Sequence, residues 1–304
     1  MKLATTNAFK QLSKYNKNLI ILSEDQVRQV QKINLETVHD IVNICNEFSV
    51  NYHLTGGSAL GGVRHQGFIP WDDDVDIDMA RKDSAIFFRE FEKKYGDKYW
   101  IHSPYSKGAH CMPCYHIRRK ETVFRGCSDA VPEECGIGVD VLIMENTFDN
   151  VIMRGIHGFF SLAFGFIVSC RRFYMTRDYV LKLSENADEI RRVFKKKIVI
   201  GHLFSFLTLE KWTLLYDKWN SICSNENSKY VVVATGKNHF FKETYLRSDF
   251  AETVTGRFED IQVKIPKNWN AYLKHMFGDY MKIPKVENRE QHVLLEFEVN
   301  ENRR

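Results

Sequence analysis

The sequence predicts an α/β core of strands and helices over about residues 25–150, followed by a helical segment. Three observations carry this expectation. Strand-like and helix-like patterns alternate between about residues 25 and 150, as in a sheet core covered by helices. One strand-like segment holds five aspartates in seven residues, Asp72, Asp73, Asp74, Asp76 and Asp78, over an apolar back of Val75, Ile77 and Met79. From residue 151 the chain turns apolar and basic, and strand and turn character returns near 228. The segments are therefore 1–150, 151–225 and 226–304.

Each element has a local reason. Val27, Val30, Val38, Ile41, Cys45 and Phe48 recur at helical spacing over 24–49. Ser23, with Gln26 three residues on, forms a capping-box pattern at the start of that helix. Asn51–Thr55 reads as a short strand that runs into Gly56-Gly57-Ser58, where a short helix opens and continues to about Arg64. Lys82–Tyr95 is amphipathic and is stopped by Gly96. Strands are expected at Tyr99–His102, Tyr115–Arg119 and Val139–Met144, and later at Val231–Val233. Phe258–Pro266 alternates apolar and polar residues, and Trp269–Phe277 reads as a helix ended by Gly278.

The aspartates are hard to explain by folding alone. In an extended strand Asp72, Asp74, Asp76 and Asp78 would share one face, with neighbours about 7 Å apart. Like charges that close raise each other's pKa unless a cation compensates. Mg²⁺ or Mn²⁺, which favour carboxylate oxygens, are the expected cofactors. The Gly56-Gly57-Ser58 turn precedes these acids. Glycines let backbone N–H groups approach a phosphate, and a helix N-terminus favours an anion. Asp140 lies inside the apolar run Gly138–Leu142, where a charge is costly unless paired or metal-bound. It is the candidate third carboxylate, or else half of an ordinary salt bridge.

Composition bounds the rest. The chain has 304 residues, 44% of them hydrophobic, and a net charge of +4. That charge gives no argument for a nucleic-acid partner. The N-terminus shows no secretory pattern, and seven cysteines suit reduced thiols, so a cytoplasmic setting is expected. Residues 151–220 carry twelve Lys or Arg against six acids, a net +6. Their apolar runs, Gly158–Cys170 and Ile198–Leu209, are expected to be too short to span a bilayer. Two readings stand: peripheral contact of 151–210 with the inner face of the plasma membrane, or a helical hairpin packed on the core with a solvated basic face.

A Gly-Ser turn followed by Asp-x-Asp on a strand resembles the polymerase-β-like nucleotidyltransferases. The longer stretch from Leu54 through Ile77 closely resembles the signature of the LicD family, which includes bacterial phosphocholine transferases and is related to fukutin-type ribitol-phosphate transferases. The resemblance returns at Gly136–Asp140, at Phe258–Asp260, at Tyr272–Met281, and at Arg289 and His292. It implies an α+β fold, a mixed sheet flanked by helices with a helical insertion at 151–225, whose nucleotidyltransferase-like catalytic core lies in 1–150 and is completed by 226–304. It implies catalytic and metal-binding roles for Asp74, Asp76 and Asp140, with Asp72 and Asp78 accessory. Gly57, Ser58, Arg64, His65, Trp71, Arg118 and Arg119 are the candidate substrate-binding residues. The implied donor is a CDP-alcohol such as CDP-choline, the acceptor a glycan or glycolipid, and the released product CMP. Family members carry Gly where this chain has Asp78, and Phe-Pro where it has Leu142-Ile143.

Other readings use the same residues. Transfer of NMP from an NTP would need the same turn and acids. A sugar-nucleotide glycosyltransferase would use the Asp-x-Asp pair without the glycine turn. A calcium loop beginning at Asp72 would put Ile77 where glycine is required. Cys111, Cys114, Cys127 and Cys135 are a candidate zinc set or else buried thiols.

Overall fold

Ser23 caps the first long helix as expected: its hydroxyl accepts from the Gln26 N–H, and the Gln26 side chain accepts from the Ser23 N–H. In this computed structural model, which describes residues 5–12, 15–16, 18–289 and 291–299, that helix backs the main sheet. The chain opens with α1 (Thr5–Leu12), β1 (Ile20–Ile21) and α2 (Glu24–Glu47). Then come β2 (Tyr52–Leu54), α3 (Gly56–Arg64), β3 (Val75–Ala80), α4 (Arg81–Tyr95), β4 (Tyr99–His102), β5 (Tyr115–Arg119), β6 (Thr122–Gly126) and β7 (Gly138–Thr147). Four helices follow: α5 (Val151–Met175), α6 (Arg177–Leu183), α7 (Asp188–Leu203) and α8 (Leu209–Asn220). The last part holds β8 (Tyr230–Val232), α9 (His239–Lys242), β9 (Thr244–Leu246), α10 (Arg247–Phe250), β10 (Thr253–Phe258), β11 (Ile261–Pro266), α11 (Trp269–Phe277) and β12 (Val293–Val299).

The main sheet runs β2-β3-β7-β5-β4, with β8 and β9 continuing from the far end of β7. Among the described strands of this sheet only β3 and β7 pair in parallel; the other neighbours are antiparallel. The fold is therefore α+β with a mixed sheet. β1, β12 and β6 form a separate antiparallel sheet, and β10 and β11 a hairpin.

Alternation along β3 sends Val75, Ile77 and Met79 to one face, where all three are fully buried. Phe87 and Phe91 of α4 and Val38 and Ile41 of α2 belong to the same core. The opposite face is left for polar side chains. Beyond β2 this core continues through Leu54, Phe258 and Leu273, which fasten α3, the β10–β11 hairpin and α11 to the sheet edge.

The 151–220 segment is helical, and Arg81 ties it to the sheet. Its guanidinium donates to Glu145 on β7, with Nε 2.8 Å from Oε1, and to Asp217 on α8, with Nη2 2.7 Å from Oδ1. The expectation that its apolar runs are too short to span a bilayer is overturned. The helix continues past Arg154 and His157 at one end and Arg171-Arg172 at the other, so α5 has 25 residues and a mean hydropathy of 1.7 over its best window. Counting only uninterrupted apolar residues stopped the run early. By length and composition α5 could cross a membrane, although it also packs on α7, α8 and α9.

Candidate active site

β3 begins at Val75, not at Asp72. Asp72, Asp73 and Asp74 lie in the loop that enters it, which corrects the expectation of one continuous aspartate strand. Side chains of α2 hold this loop by its backbone. Gln31 Nε2 donates to the carbonyls of Ile69 (3.1 Å) and Asp72 (2.8 Å), and the buried Asn34 Nδ2 donates to that of Asp73 (3.2 Å). The loop therefore has a fixed shape that strand periodicity does not describe.

Strand register builds the rest of the site. Asp76 on β3 pairs with Asp140 on β7 across the parallel ladder, and Asp140 pairs with His116 on β5. Directly paired residues point to the same face, so Asp76, Asp140 and His116 form one rung on the face away from the core. His116 Nδ1 is ion-paired to Asp140 Oδ1, and its Nε2 meets Cys114 Sγ at 3.3 Å. Desolvation is the largest single effect and disfavours charge on both partners, but their attraction and hydrogen bond, with help from neighbouring groups, together outweigh it. The sum pushes His116 up to about 10, with Cys114 adding to Asp140, and holds Asp140 below the ordinary carboxylate value.

The loop acids join this rung. Asp72, Asp73 and Asp74 each bring an oxygen within 4.8 Å of the others. Asp73 is almost fully buried. It accepts from the His292 ring Nδ1 at 2.6 Å and from the His292 N–H at 3.3 Å, and His292 Nε2 lies 4.0 Å from Asp74 Oδ2. Desolvation is the largest single effect and opposes the His292 charge, but Asp73, Asp74 and Asp140 together outweigh it and push the ring upward. Asp72, Asp74 and Asp76 are all raised, first by desolvation and then by neighbouring carboxylates.

The glycine turn lies against these acids. Gly56 has φ +53°, which favours glycine, and a Cβ there would sit 3.1 Å from Asp76 Oδ2. A Cβ on Gly57 would come within 2.7 Å of Asp72 Oδ2. The Asp76 N–H donates to Ser58 Oγ at 3.0 Å, and the Thr55 N–H to the Asp76 carbonyl at 3.0 Å, which pins the start of α3 to β3. Ser58 is buried and its hydroxyl is engaged in this tie. The N–H groups of Gly57 and Ser58 lie in the first turn of α3, where a helix supplies no internal acceptors. That end of α3 offers donors to an anion.

The remaining candidates separate into two groups. Arg118 lies on the His116 face of β5. Its Nη2 donates to Asp129 Oδ1 at 3.1 Å, and its buried Nε has no hydrogen-bond partner among the described residues. Trp71 is flanked by His65, with ring centroids 6.4 Å apart, and by the Arg289 guanidinium 4.0 Å from its ring centroid. Arg64 donates to the Tyr280 carbonyl at 2.6 Å. Arg119 does not join the cluster. Alternation turns it to the helix-covered face, where it meets Glu36 (3.5 Å) and the Tyr99 hydroxyl (3.4 Å). Asp78 shares the Asp76 face but is fully buried behind it, and neither oxygen has a hydrogen-bond partner among the described residues. Burial first, then Glu243, pushes its carboxyl up strongly. The adjacent Thr55 hydroxyl, which bonds Tyr272 at 2.7 Å, offsets part of this rise.

Sequence reasoning assigned no role to His116, Asp73 or His292. The strand Tyr115–Arg119 put His116 and Arg118 on one face, but nothing local marked Asp140 as the cross-strand partner. The four cysteines do not converge on a zinc site. The Sγ atoms of Cys111, Cys127 and Cys135 turn to the carbonyls of Pro104, Val293 and Val131, and Cys114 turns to His116. No group of three metal-ligating side chains among the described residues contains a cysteine.

The oxygen donors fit a hard divalent cation. Asp72, Asp74, Asp76 and Asp140 supply only carboxylates, which suits Mg²⁺ or Mn²⁺ rather than a softer metal. Their mutual repulsion is what such an ion would relieve.

Residues 49–120 match the family model described as LicD/FKTN/FKRP, nucleotidyltransferase domain. The lipopolysaccharide cholinephosphotransferase LicD of Haemophilus influenzae is 22% identical over 283 residues, covering 89% of this chain and 97% of that protein. Residues 49–120 thus carry a LicD-type domain, and most of the chain is similar to LicD. The human ribitol 5-phosphate transferase FKRP is 44% identical over 48 residues, 16% of this chain and 10% of FKRP. An uncharacterized protein of Rickettsia prowazekii is 33% identical over 70 residues, 21% of this chain and 26% of that protein. The LicD-family match of 49–120 holds the glycine turn, the aspartate loop, β3 and β5. Asp140 and His292 reach the same cluster from outside it.

Proposed function

We propose that this LicD-family phosphotransferase moves a phospho-alcohol, phosphocholine or a similar unit, from a CDP-linked alcohol to a sugar hydroxyl. The acceptor is a surface glycan, lipopolysaccharide or capsule precursor, CMP is released, and Mg²⁺ or Mn²⁺ is the cofactor. The observation that carries the reading is the Asp76–Asp140 rung lying against the N-terminal turn of α3. The names of two relatives, a cholinephosphotransferase and a ribitol 5-phosphate transferase, support phospho-alcohol transfer as the chemistry. On this reading the core is nucleotidyltransferase-like, with 151–225 inserted into a catalytic domain made by 1–150 and 226–304.

Asp74, Asp76 and Asp140 would hold the cation, with Asp72 beside them. When bound, the cation neutralises the diphosphate and the charge on departing CMP. The chain's own groups supply orientation. The Gly57 and Ser58 N–H groups bind phosphate oxygens, and the unpartnered Nε of Arg118 offers a further donor. His116 keeps Asp140 ionised. A carboxylate held low in pKa is a weak base, so Asp140 serves better as a ligand than as a proton acceptor. Trp71, backed by His65 and Arg289, walls the donor pocket. Catalysis is then largely positioning and charge stabilisation.

The acceptor side of the reading concerns α5. Ile152 and Phe159 are 70% and 64% exposed, and Leu203 and Phe206 on the neighbouring segment 68% and 71%. With the net +6 of 151–220, this supports peripheral attachment to an anionic membrane surface from the cytoplasmic side.

The second reading, NMP transfer from CTP, uses the same acids and the same turn. Product analysis separates them. Metal-dependent CMP from CDP-choline, CDP-ribitol or CDP-glycerol with a sugar acceptor supports the first. Pyrophosphate from CTP, with no CMP from any CDP-alcohol, replaces it with the second.

A further inference from the structure

The rung of Asp76, Asp140 and His116 continues one strand further. His116 pairs in register with His102 on the edge strand β4. His102 therefore occupies the same face, two strand spacings or about 10 Å from Asp140. Its side chain is 7% exposed, and its Nε2 lies 2.8 Å from Glu134 Oε2. His110 brings its Nδ1 to 4.0 Å from the same oxygen, and the two imidazole centroids are 4.4 Å apart. All three donor atoms lie within 4.8 Å of one another.

The backbone is shaped to bring them together. After His102 the chain leaves β4 and returns, closed by the Ser103–Cys111 bridge and by the Met112 N–H donating to the Ser103 carbonyl at 3.1 Å. The 3₁₀ turn Gly108–His110 at the end of this loop delivers His110, and the Gly108 N–H is anchored on Glu210 Oε1 at 3.0 Å. Glu134 arrives from a separate loop with φ +57°. A non-glycine residue rarely adopts that conformation, so the surrounding loop imposes it, and the carboxylate it presents faces two imidazoles.

Two imidazole nitrogens and one carboxylate oxygen are a different donor set from the aspartate cluster. Oxygen-only sites suit Mg²⁺, whereas His₂Glu suits Zn²⁺ and leaves a fourth position open. Tetrahedral bonds of about 2.1 Å separate neighbouring donors by about 3.4 Å. The two separations to Glu134 Oε2 lie on either side of that value, so shifts below about 1 Å would complete the geometry.

We propose that His102, His110 and Glu134 form a second metal site, nitrogen-rich and selective for Zn²⁺ over Mg²⁺. It fastens the 103–111 loop and the Glu134 loop to β4, next to the strand whose His116 holds Asp140. The site stands apart from the phosphotransferase reading, because neither its ligands nor its metal are those assigned to the reaction.

The test uses the full chain, stripped with a chelator and titrated with Zn²⁺ against a chromophoric competitor in millimolar Mg²⁺. One equivalent of tightly held Zn²⁺ is expected, and Co²⁺ in its place should give the intense visible bands of four-coordinate cobalt. Loss of an outer-shell partner already costs about 10–100-fold in affinity. His110→Ala and Glu134→Gln, which remove a ligand, should therefore each weaken Zn²⁺ by at least about tenfold. Both side chains are partly exposed, 27% and 38%, and circular dichroism checks that each variant folds. Asp76→Asn and Cys114→Ser should keep the equivalent. Wild-type protein that binds no stoichiometric Zn²⁺ and gives only six-coordinate cobalt spectra overturns the proposal without any variant. So does an equivalent that survives in folded His110→Ala and Glu134→Gln, or one that is lost in Cys114→Ser.

Discussion

Asp76→Asn should make the metal-free protein more stable and its reaction fail. The substitution keeps the shape of the side chain and removes one of several crowded charges. Asp76 is raised first by desolvation, then by repulsion from Asp74, Asp140 and Asp78. At about 6 Å and an effective dielectric of about 20, one full neighbouring charge repels by about 3 kcal/mol. The side chains of Asp74 and Asp140 are 38% and 40% exposed, and His292 and His116 offset part of their charge. Solvent screening and these cations reduce the net gain to about 1–2 kcal/mol. For a chain of this size that is a rise in Tm of roughly 2–6 °C. The sign with pH follows from the same cause. A carboxyl whose folded pKa lies above its unfolded value makes the folded state hold more protons. The contributions of Asp72, Asp76 and Asp78 therefore fall as pH rises from the ordinary carboxylate value through their raised ones. Thermal melts in chelator and in Mg²⁺, with CMP release measured in parallel, check the reasoning. In chelator the variant should melt higher. In Mg²⁺ the wild type should gain much more than the variant, and turnover in the variant should fall by about 10²–10³ or more. A variant that melts lower in chelator, or that keeps a tenth of wild-type turnover, would refute the account.

Gly57→Ala would set a Cβ 2.7 Å from Asp72 Oδ2; displacement of that carboxylate should cost about tenfold or more in kcat/KM, with a melting temperature near wild type. His116→Gln removes the cation that holds Asp140 low, so the acidic limb of the kcat/KM profile should move up by about one pH unit; an unmoved limb would remove His116 from the positioning of Asp140. Ile152→Glu with Phe159→Glu should lower sedimentation with anionic vesicles by at least about tenfold, from lost burial of two apolar side chains, while turnover on a short soluble acceptor stays constant. Vesicle binding that survives would refute attachment through α5.

Much of the fold was legible because it is encoded locally. The Ser23–Gln26 capping box, the stop at Gly96 and the alternation behind Asp76 and Asp140 need no distant partner. Asp140 was legible for a related reason, since a lone acid in an apolar strand has few stable explanations. What was missed depends on neighbours that are remote in sequence. β3 starts at Val75 because Gln31 and Asn34 of α2 seize the backbone before it. β6 and β12 were not recognised as strands, and they pair across some 170 residues. Arg119 looked like the twin of Arg118, yet alternation sends the two to opposite faces. Asp78 was expected as an accessory acid, but it is fully buried beside the Thr55–Tyr272 hydrogen bond. The length of α5 escaped because helices tolerate charges at their ends that an apolar-run count does not.

The most direct test is to locate Mn²⁺ by its anomalous scattering in crystals grown with the ion and a CDP-alcohol. The ion is expected among the carboxylates of Asp74, Asp76 and Asp140, with the donor's phosphates against the first turn of α3. Mn²⁺ bound elsewhere, with Asp140 engaged only by His116 and the diphosphate far from Gly57, would contradict it.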